Sequence, residues 1–384
     1  MPFSFLKRTF ISPLLEFIQD SRAVGIILII CTVVSLLLSN TGWGAYITFW
    51  NTEVHLASTL PHSVLHSIND GLMAVFFFLV GMEIKRELII GELSSIKQAI
   101  LPVVGALGGM LVPAFIFILF NINTPFSNGW GIPMATDIAF SLGVASLLGS
   151  RVPVALKIFL TALAIIDDLG AIIAIAAFYT STLHLVYLLI GLLLFAVLLI
   201  WNYLKLPFGF WNFILGFALW FCFFNSGVHA TIAGVLFAFT IPVSKLSSIE
   251  HGIHNYVNFL IIPLFALANT AISIPAGFVQ HLSNSLSFGI IFGLMLGKPI
   301  GIVLFCWITV KMKWGELAEG INWNHMIGLG LLAAIGFTMS IFISMLAFKD
   351  SFTQVISKMA VMVATIIAII FAYVWFKYFT KEKQ

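Results

Sequence analysis

Apolar residues run in long blocks along the chain, broken by short polar stretches, at roughly 23–40, 66–84, 98–120, 131–149, 153–178, 184–203, 209–224, 226–242, 253–272, 286–310, 325–347 and 355–377. A helix that crosses the hydrocarbon core of a bilayer needs about 20 mostly apolar residues. The pattern therefore predicts an all-α membrane protein of about twelve transmembrane helices. Transmembrane β-barrels show short alternating segments instead, and that pattern is absent. Composition agrees: of 384 residues, 61% are hydrophobic and 9% charged, with a mean hydropathy of +1.10. Soluble domains carry about a quarter charged residues, and a soluble fold would have to face water with leucine and phenylalanine over most of its surface.

Twelve crossings put both termini on one side, and the loops test that count. With the N-terminus cytoplasmic, the inner set is Lys7, Arg8, Arg22, Lys85, Arg86, Lys97, Arg151, Lys157, Lys205, Lys245, Lys311, Lys313, Lys377, Lys381 and Lys383, which is 15 of the 18 basic residues. Only Lys349 and Lys358 fall outside, and Lys298 lies within a span. This is the asymmetry of the positive-inside rule. It also accounts for the net charge of +3 without nucleic acid as a partner. Cys31, Cys222 and Cys306 lie in apolar runs with no metal spacing and read as packing residues. Residues 3–18 fit an interfacial helix rather than a cleaved signal. The longest outer segment, 41–65, carries Tyr46, Thr48, Trp50, Thr52, Val54 and Leu56 after a Gly-Trp-Gly turn. It reads as a short hairpin, either an ordered loop or an edge for pairing with a second copy of the chain.

Most acidic residues sit in loops or near span ends, but Asp137, Asp167 and Asp168 do not, and Lys298 joins them inside the membrane. A lone charge in hydrocarbon costs several kcal/mol, so these four groups must face a bundle interior or a water-filled cavity. A buried salt bridge that only fixes helix packing is the bland alternative, yet three acids and one base cannot all be neutralised in pairs. Asp167 and Asp168 are adjacent on one helix and point about 100° apart, so one can face Lys298 while the other faces a cavity. Two carboxylates at close quarters cannot both ionise cheaply. That suits a site where a proton competes with a hard cation, for which oxygen is the natural ligand.

Two spans are interrupted. Gly131-Ile132-Pro133-Met134-Ala135-Thr136-Asp137 places glycine and proline inside an apolar run, and proline removes a helical donor. The span 325–347 carries Gly328, Gly330 and then Ala334-Ile335-Gly336-Phe337-Thr338-Met339-Ser340. Non-helical backbone at that depth must be buried or line a cavity, where freed amides and carbonyls can hold ions. Each interrupted span is the middle member of a three-span unit, 98–178 and 286–377, entering the membrane from opposite sides. That position is the arrangement of an inverted repeat within a single transporter domain, 1–384.

Ala135-Thr136-Asp137-Ile138-Ala139-Phe140, Ala162-Leu163-Ala164-Ile165-Ile166-Asp167-Asp168-Leu169-Gly170-Ala171-Ile172 and Gly297-Lys298-Pro299-Ile300-Gly301 closely resemble the NhaA-type sodium/proton antiporters of bacterial inner membranes. So do Val80-Gly81-Met82-Glu83-Ile84-Lys85-Arg86-Glu87-Leu88, Ser226-Gly227-Val228-His229-Ala230-Thr231 and Gly336-Phe337-Thr338-Met339-Ser340. The resemblance runs in order from the second span to the eleventh. It implies a pH-regulated, electrogenic exchanger of Na⁺ or Li⁺ for H⁺ that works by alternating access as a homodimer, without a cofactor. Asp168 would be the principal cation ligand, with Asp167 binding a proton or sodium and pairing with Lys298 in one state. Asp137 and Thr136 would support the site at the helix crossing. His229, Glu83 and Glu250-His251-Gly252-Ile253-His254 resemble the family's pH-responsive region near the cytoplasmic funnel; Ser247-Ser248 stand where the best-known members carry a basic residue. Other readings of the same acids are a different proton-coupled transporter or an intramembrane aspartyl protease, whose Gly-x-Gly-Asp signature is absent.

Overall fold

The structure, a computed structural model, describes residues 22–42, 44–54, 59–180 and 183–380. Helix follows helix, and no named strand occurs among the described residues. Eight helices are long and apolar enough to cross a membrane: α1 (Ala23–Asn40), α2 (Val64–Ile89), α3 (Ile96–Asn121), α5 (Val154–Phe178), α6 (Leu185–Tyr203), α9 (Val243–Asn269), α10 (Ser285–Lys311) and α12 (Ser351–Phe379). Two more crossings are bent pairs. In α4, a 3₁₀ half (Ser127–Met134) meets an α half (Ile138–Leu147) at 40°, and in α11 two halves (Trp323–Ala333 and Phe337–Ala347) meet at 48°. The shorter apolar helices α7 (Phe210–Ser226) and α8 (Ala230–Thr240) complete the twelve apolar segments read from the sequence.

The two interruptions fall where glycine, proline and hydroxyl residues were noted. Asp137 is the N-cap of the second half of α4, its side chain accepting from Phe140 N at 2.9 Å. An aspartate satisfies the free amides of a helix start, so the break after Pro133 comes with its own restart signal. Asp350 does the same for α12, accepting from Thr353 N (2.8 Å) and Oγ1 (2.7 Å). Those bonds hold its carboxyl below the usual carboxylate range.

Glycine sets the closest helix approaches. Gly108 on α3 faces Gly301 on α10, and a Cβ on either would strike the carbonyl oxygen of the other. Gly297 also lies against backbone, that of Pro113. With no hydrophobic force between helices in lipid, association depends on such contact. This crossing carries Lys298, on α10, into the interior.

Several details differ from the sequence reading. Residues 44–50, read as one arm of a hairpin, form the short helix Gly44–Trp50, and pairing in that segment is a single bridge between Glu53 and Ser63. Leu56 of the same hairpin lies outside the described residues, as do the 3–18 helix and Lys7, Arg8, Lys381 and Lys383. Lys85, read as a loop charge, belongs to α2 and is buried; its Nζ donates to Phe239 O (2.7 Å) and Ile241 O (2.5 Å), capping the C-terminal end of α8. An ammonium there satisfies carbonyls with no helical partner and complements the helix dipole. Lys358, read as an outer charge, is buried inside α12 at 8% exposure. Helix α9 starts ten residues earlier than read, so Glu250, His251 and Gly252 lie on it rather than before it. Three π-helical stretches, Ser67–Leu72, Val257–Ile261 and Gly293–Gly297, interrupt α2, α9 and α10; such stretches recur at functional positions.

Replacing Gly108 by alanine should force α3 and α10 apart. Overpacking of this kind costs about 1–3 kcal/mol, which should appear as a lower thermal midpoint of the purified protein in detergent. An unchanged midpoint would contradict the close crossing.

Candidate functional site

The breaks in α4 and α11 cross, and each supplies what the other's free backbone lacks. Asp137 N donates to Ile335 O (2.8 Å). The Thr136 hydroxyl lies 3.0 Å from Ala333 O, Ser141 Oγ donates to Leu332 O (2.9 Å), and Ser340 Oγ donates to Ile132 O (2.8 Å). The Asp137 carboxylate spans both helix starts: Oδ1 accepts from Phe140 N, while Oδ2 accepts from Thr338 N (3.0 Å) and Thr338 Oγ1 (2.5 Å). A negative group between two helix N-termini is favoured by both dipoles.

Helix α5 brings Asp167 and Asp168 to this crossing, each 1% exposed. The 100° step between neighbours separates their roles. Asp167 Oδ2 accepts from Lys298 Nζ at 2.5 Å and lies 2.8 Å from Thr136 Oγ1. Lys298 Nζ also donates to Thr136 Oγ1 at 2.5 Å. Thr136 thus joins Lys298, Asp167 and the end of the first half of α11. Asp168 points the other way, into a cavity of about 300 Å³ that Asp137, Thr338, Thr161 and Glu83 also line. Asp167 Oδ1 and Asp168 Oδ1 are buried with no hydrogen-bond partner. Buried polar oxygens are normally satisfied, so two orphans at one crossing are places for a proton or a bound cation. Among the described residues no group of three His, Cys, Asp or Glu is arranged to hold a metal. The available oxygens are carboxylate, hydroxyl and backbone carbonyl, a hard-cation set.

The cavity leads toward the end of the molecule where Arg86 and His254 line it. Arg86 pairs there with Glu87 (3.0 Å) and with Glu250. Glu250 is 3% exposed and its Oε2 has no partner. Asn258 Nδ2 lies 3.1 Å from His254 Nε2. Glu83, Glu250 and His254 therefore gather at one mouth.

His229 does not join them. It precedes the first turn of α8, at the opposite end, with Nδ1 3.5 Å from Asp70 Oδ1; His66 Nε2 holds Asp70 Oδ2 at 2.9 Å. These three residues line a second cavity, of about 710 Å³, with Tyr179, Met345 and Phe348. An even-numbered span enters from the side away from the termini, so a residue at the start of α8 belongs at that end. The sequence reading missed Asp70, Thr338, Arg86 and Lys358 as members of buried polar groups. A His-x-x-x-Asp spacing at 66–70 was the one clear signal; Lys358 lies close to the start of its apolar block, where a loop charge looks the same. Asp137 is engaged by α11 and Asp167 by Lys298, rather than by each other as the dyad of an aspartyl protease would be.

Twelve apolar helical segments, two broken helices crossed at their breaks and buried acids beside a lysine define a membrane transporter of the broken-helix kind. The family described as Na⁺/H⁺ antiporter 1 matches residues 15–376. The chain is 48% identical over 380 residues to the Na(+)/H(+) antiporter NhaA 2 of Flavobacterium johnsoniae, covering 96% of this chain and 93% of that protein. It is 46% identical to the NhaA of Cytophaga hutchinsonii (96% and 95% covered) and 44% identical to that of Citrobacter koseri (94% and 97% covered). The chain belongs to the Na⁺/H⁺ antiporter 1 family.

Breaking the Asp167–Lys298 pair from one side should separate charge from packing. Asp167→Asn leaves a buried ammonium without its counter-charge, at about 3–5 kcal/mol. Lys298→Met should cost less, because a carboxylic acid left alone can keep its proton. The double variant should recover most of the thermal midpoint lost by Asp167→Asn, measured by fluorescence melting in detergent.

Proposed function

We propose that this chain exchanges sodium or lithium for protons across a bacterial inner membrane, with both termini in the cytoplasm. The observation that carries this reading is the pair of orphaned carboxylate oxygens on Asp167 and Asp168, buried where two broken helices cross, with Asp168 lining a cavity that approaches from one side. The basic loop residues Arg22, Lys97, Lys205, Lys245 and Lys311 mark the cytoplasmic side. The Glu83–Arg86–His254 mouth is then the inner entrance, and this conformation faces inward.

In that state sodium enters past Glu83 and meets Asp168. Its arrival displaces protons, and it competes with Lys298 for Asp167, because the single negative charge of that carboxylate cannot balance both cations in a buried site. If two protons leave for one sodium, each cycle moves net charge and responds to membrane potential at about 2.3 kcal/mol per charge per 100 mV. The exchange alternates sides as the units 98–178 and 286–377, an inverted repeat in position, move against the remaining helices. Glu83, Glu250 and His254 make the inner mouth responsive to pH: protonation of any of them alters the charge that sodium meets. A homodimer is the assembly the family resemblance implies.

Purified protein in liposomes should collapse a preset pH gradient when sodium is added, and Asp168→Asn should abolish the response. Because protons and sodium compete for the same oxygens, the apparent KM for sodium should fall as pH rises. Clamping the membrane potential with valinomycin and potassium should change the rate if exchange is electrogenic. Liposomes that give no gradient collapse with Na⁺ or Li⁺ at alkaline pH would remove this reading.

A further inference from the structure

The exchange just described uses one buried lysine and leaves a second unexplained. Lys358 lies two turns inside α12 at 8% exposure. No carboxylate pairs with it among the described residues; its recorded partner is Asn269 Oδ1, at 3.4 Å. That distance is at the limit of hydrogen bonding, and an ammonium offers three donors. A buried ammonium costs several kcal/mol unless it is paired. One long bond to a neutral amide offsets little of this. Selection for stability alone would place methionine or leucine here.

The lysine ends a chain of buried amides. Asn269, 1% exposed at the end of α9, donates to Asn69 Oδ1 at 2.9 Å. Asn69 Nδ2 in turn approaches Met345 Sδ at 3.7 Å. Asn69 sits in the π-helical stretch Ser67–Leu72 of α2, next to Asp70. Met345 and Asp70 are both in the wall of the outer 710 Å³ cavity. The chain therefore joins α12, α9, α2 and the second half of α11 directly behind that wall. Below it, Phe342 packs against Phe77 (ring centroids 5.5 Å apart) and Phe265 (6.3 Å), all three at 0–1% exposure. These rings seal the outer cavity from the crossing.

We propose that Lys358 is a positioning residue of the transport cycle, whose poorly paired ammonium favours opening of the outer end because opening gives it water and the Asp70 carboxylate as partners. The inference rests on the exchange reading above. A group shifts a conformational equilibrium by the difference in its free energy between the two states. In the inward-facing state Lys358 has one weak neutral partner. When the elements it joins separate, water from the outer cavity reaches it first. The charge thus acts against the seal, and neutralising it deepens the closed state. A residue that merely clamped the helices would act with the opposite sign.

The test compares Lys358→Met, Lys358→Arg and Asn269→Leu in the full chain, in lipid nanodiscs for backbone hydrogen exchange and in liposomes for sodium-driven proton movement. Lys358→Met should slow exchange in 64–72 and 262–270 about tenfold and lower turnover by a similar factor, with no rise in the KM for sodium at the inner side. Lys358→Arg should behave as wild type. Asn269→Leu removes the acceptor while keeping the charge, and should speed exchange in 64–72. Lys358→Gln, which keeps a donor for Asn269, should show the same slowing as Met and serves if the Met variant does not fold. Faster exchange in these segments in both neutral variants, or no change in either, overturns the proposal. Should wild type fail to move protons with sodium while the hydrogen-exchange signs hold, the antiport reading fails, and what survives is the bias that Lys358 sets on opening of the outer end.

Discussion

Every backbone group at the centre of a membrane protein must find its partner inside the protein, and the crossing of α4 and α11 meets that demand by reciprocity. A single broken helix would strand amides and carbonyls in hydrocarbon. Two broken helices, crossed at their gaps, share them: Asp137 N serves Ile335 O, Ser141 serves Leu332 O, and Ser340 serves Ile132 O. The Asp137 carboxylate then closes the account at both helix starts. Because the scaffold satisfies itself, it does not consume Asp167 and Asp168, and their outer oxygens stay available.

Ion exchange follows from what remains. Lys298 reaches Asp167 because glycines let α3 and α10 approach to backbone contact. Lys298 pairs with Asp167, so the crossing is not left with two bare carboxylates. On the proposed reading, sodium, protons and the Lys298 ammonium are three cations competing for two acids. Competition of that kind couples the fluxes without any further device: a cation that binds must displace another. Thr136 keeps Lys298, Asp167 and the α11 break in one hydrogen-bonded group, so a change at Asp167 is felt at the helix crossing that has to move.

The helices and the mid-membrane acids were legible because they obey one-dimensional rules. Block length reports a crossing, and an aspartate inside a block reports a site. The break at 134–137 was legible because Pro133 and the capping Asp137 write it into the chain. What the sequence hid depends on depth and side. Lys85 and Lys358 sit near block ends, where a loop charge and a buried charge look alike until the partner, a helix end or an asparagine, is known. The family resemblance grouped His229 with residues of the inner mouth, and only the direction of α8 sends it to the other end. The alternation at 44–50 suited a strand, yet no strand pairs with it among the described residues, and the segment closes its hydrogen bonds locally as a helix. The π-helical stretches leave no clear mark on hydrophobic periodicity over five or six residues.

The second half of α11 carries the last step of this reasoning. Thr338 and Met339 line the inner cavity, Met345 and Phe348 line the outer one, and Phe342 lies between them on the same helix. At 1.5 Å per residue, about one helical turn separates Phe342 from either cavity. The seal is therefore thin, and it is made across an interface: Phe342 comes from a broken helix, while Phe77 and Phe265 come from α2 and α9. A displacement of the broken-helix unit by a turn or less relative to α2 and α9 would part the rings without unfolding anything, the scale on which packed helices shift between discrete states. The inner entrance is bounded by the same two partners, with Glu83 on α2 and His254 on α9 facing Thr338. The contact of the second half of α11 with α2 and α9 thus bounds both cavities.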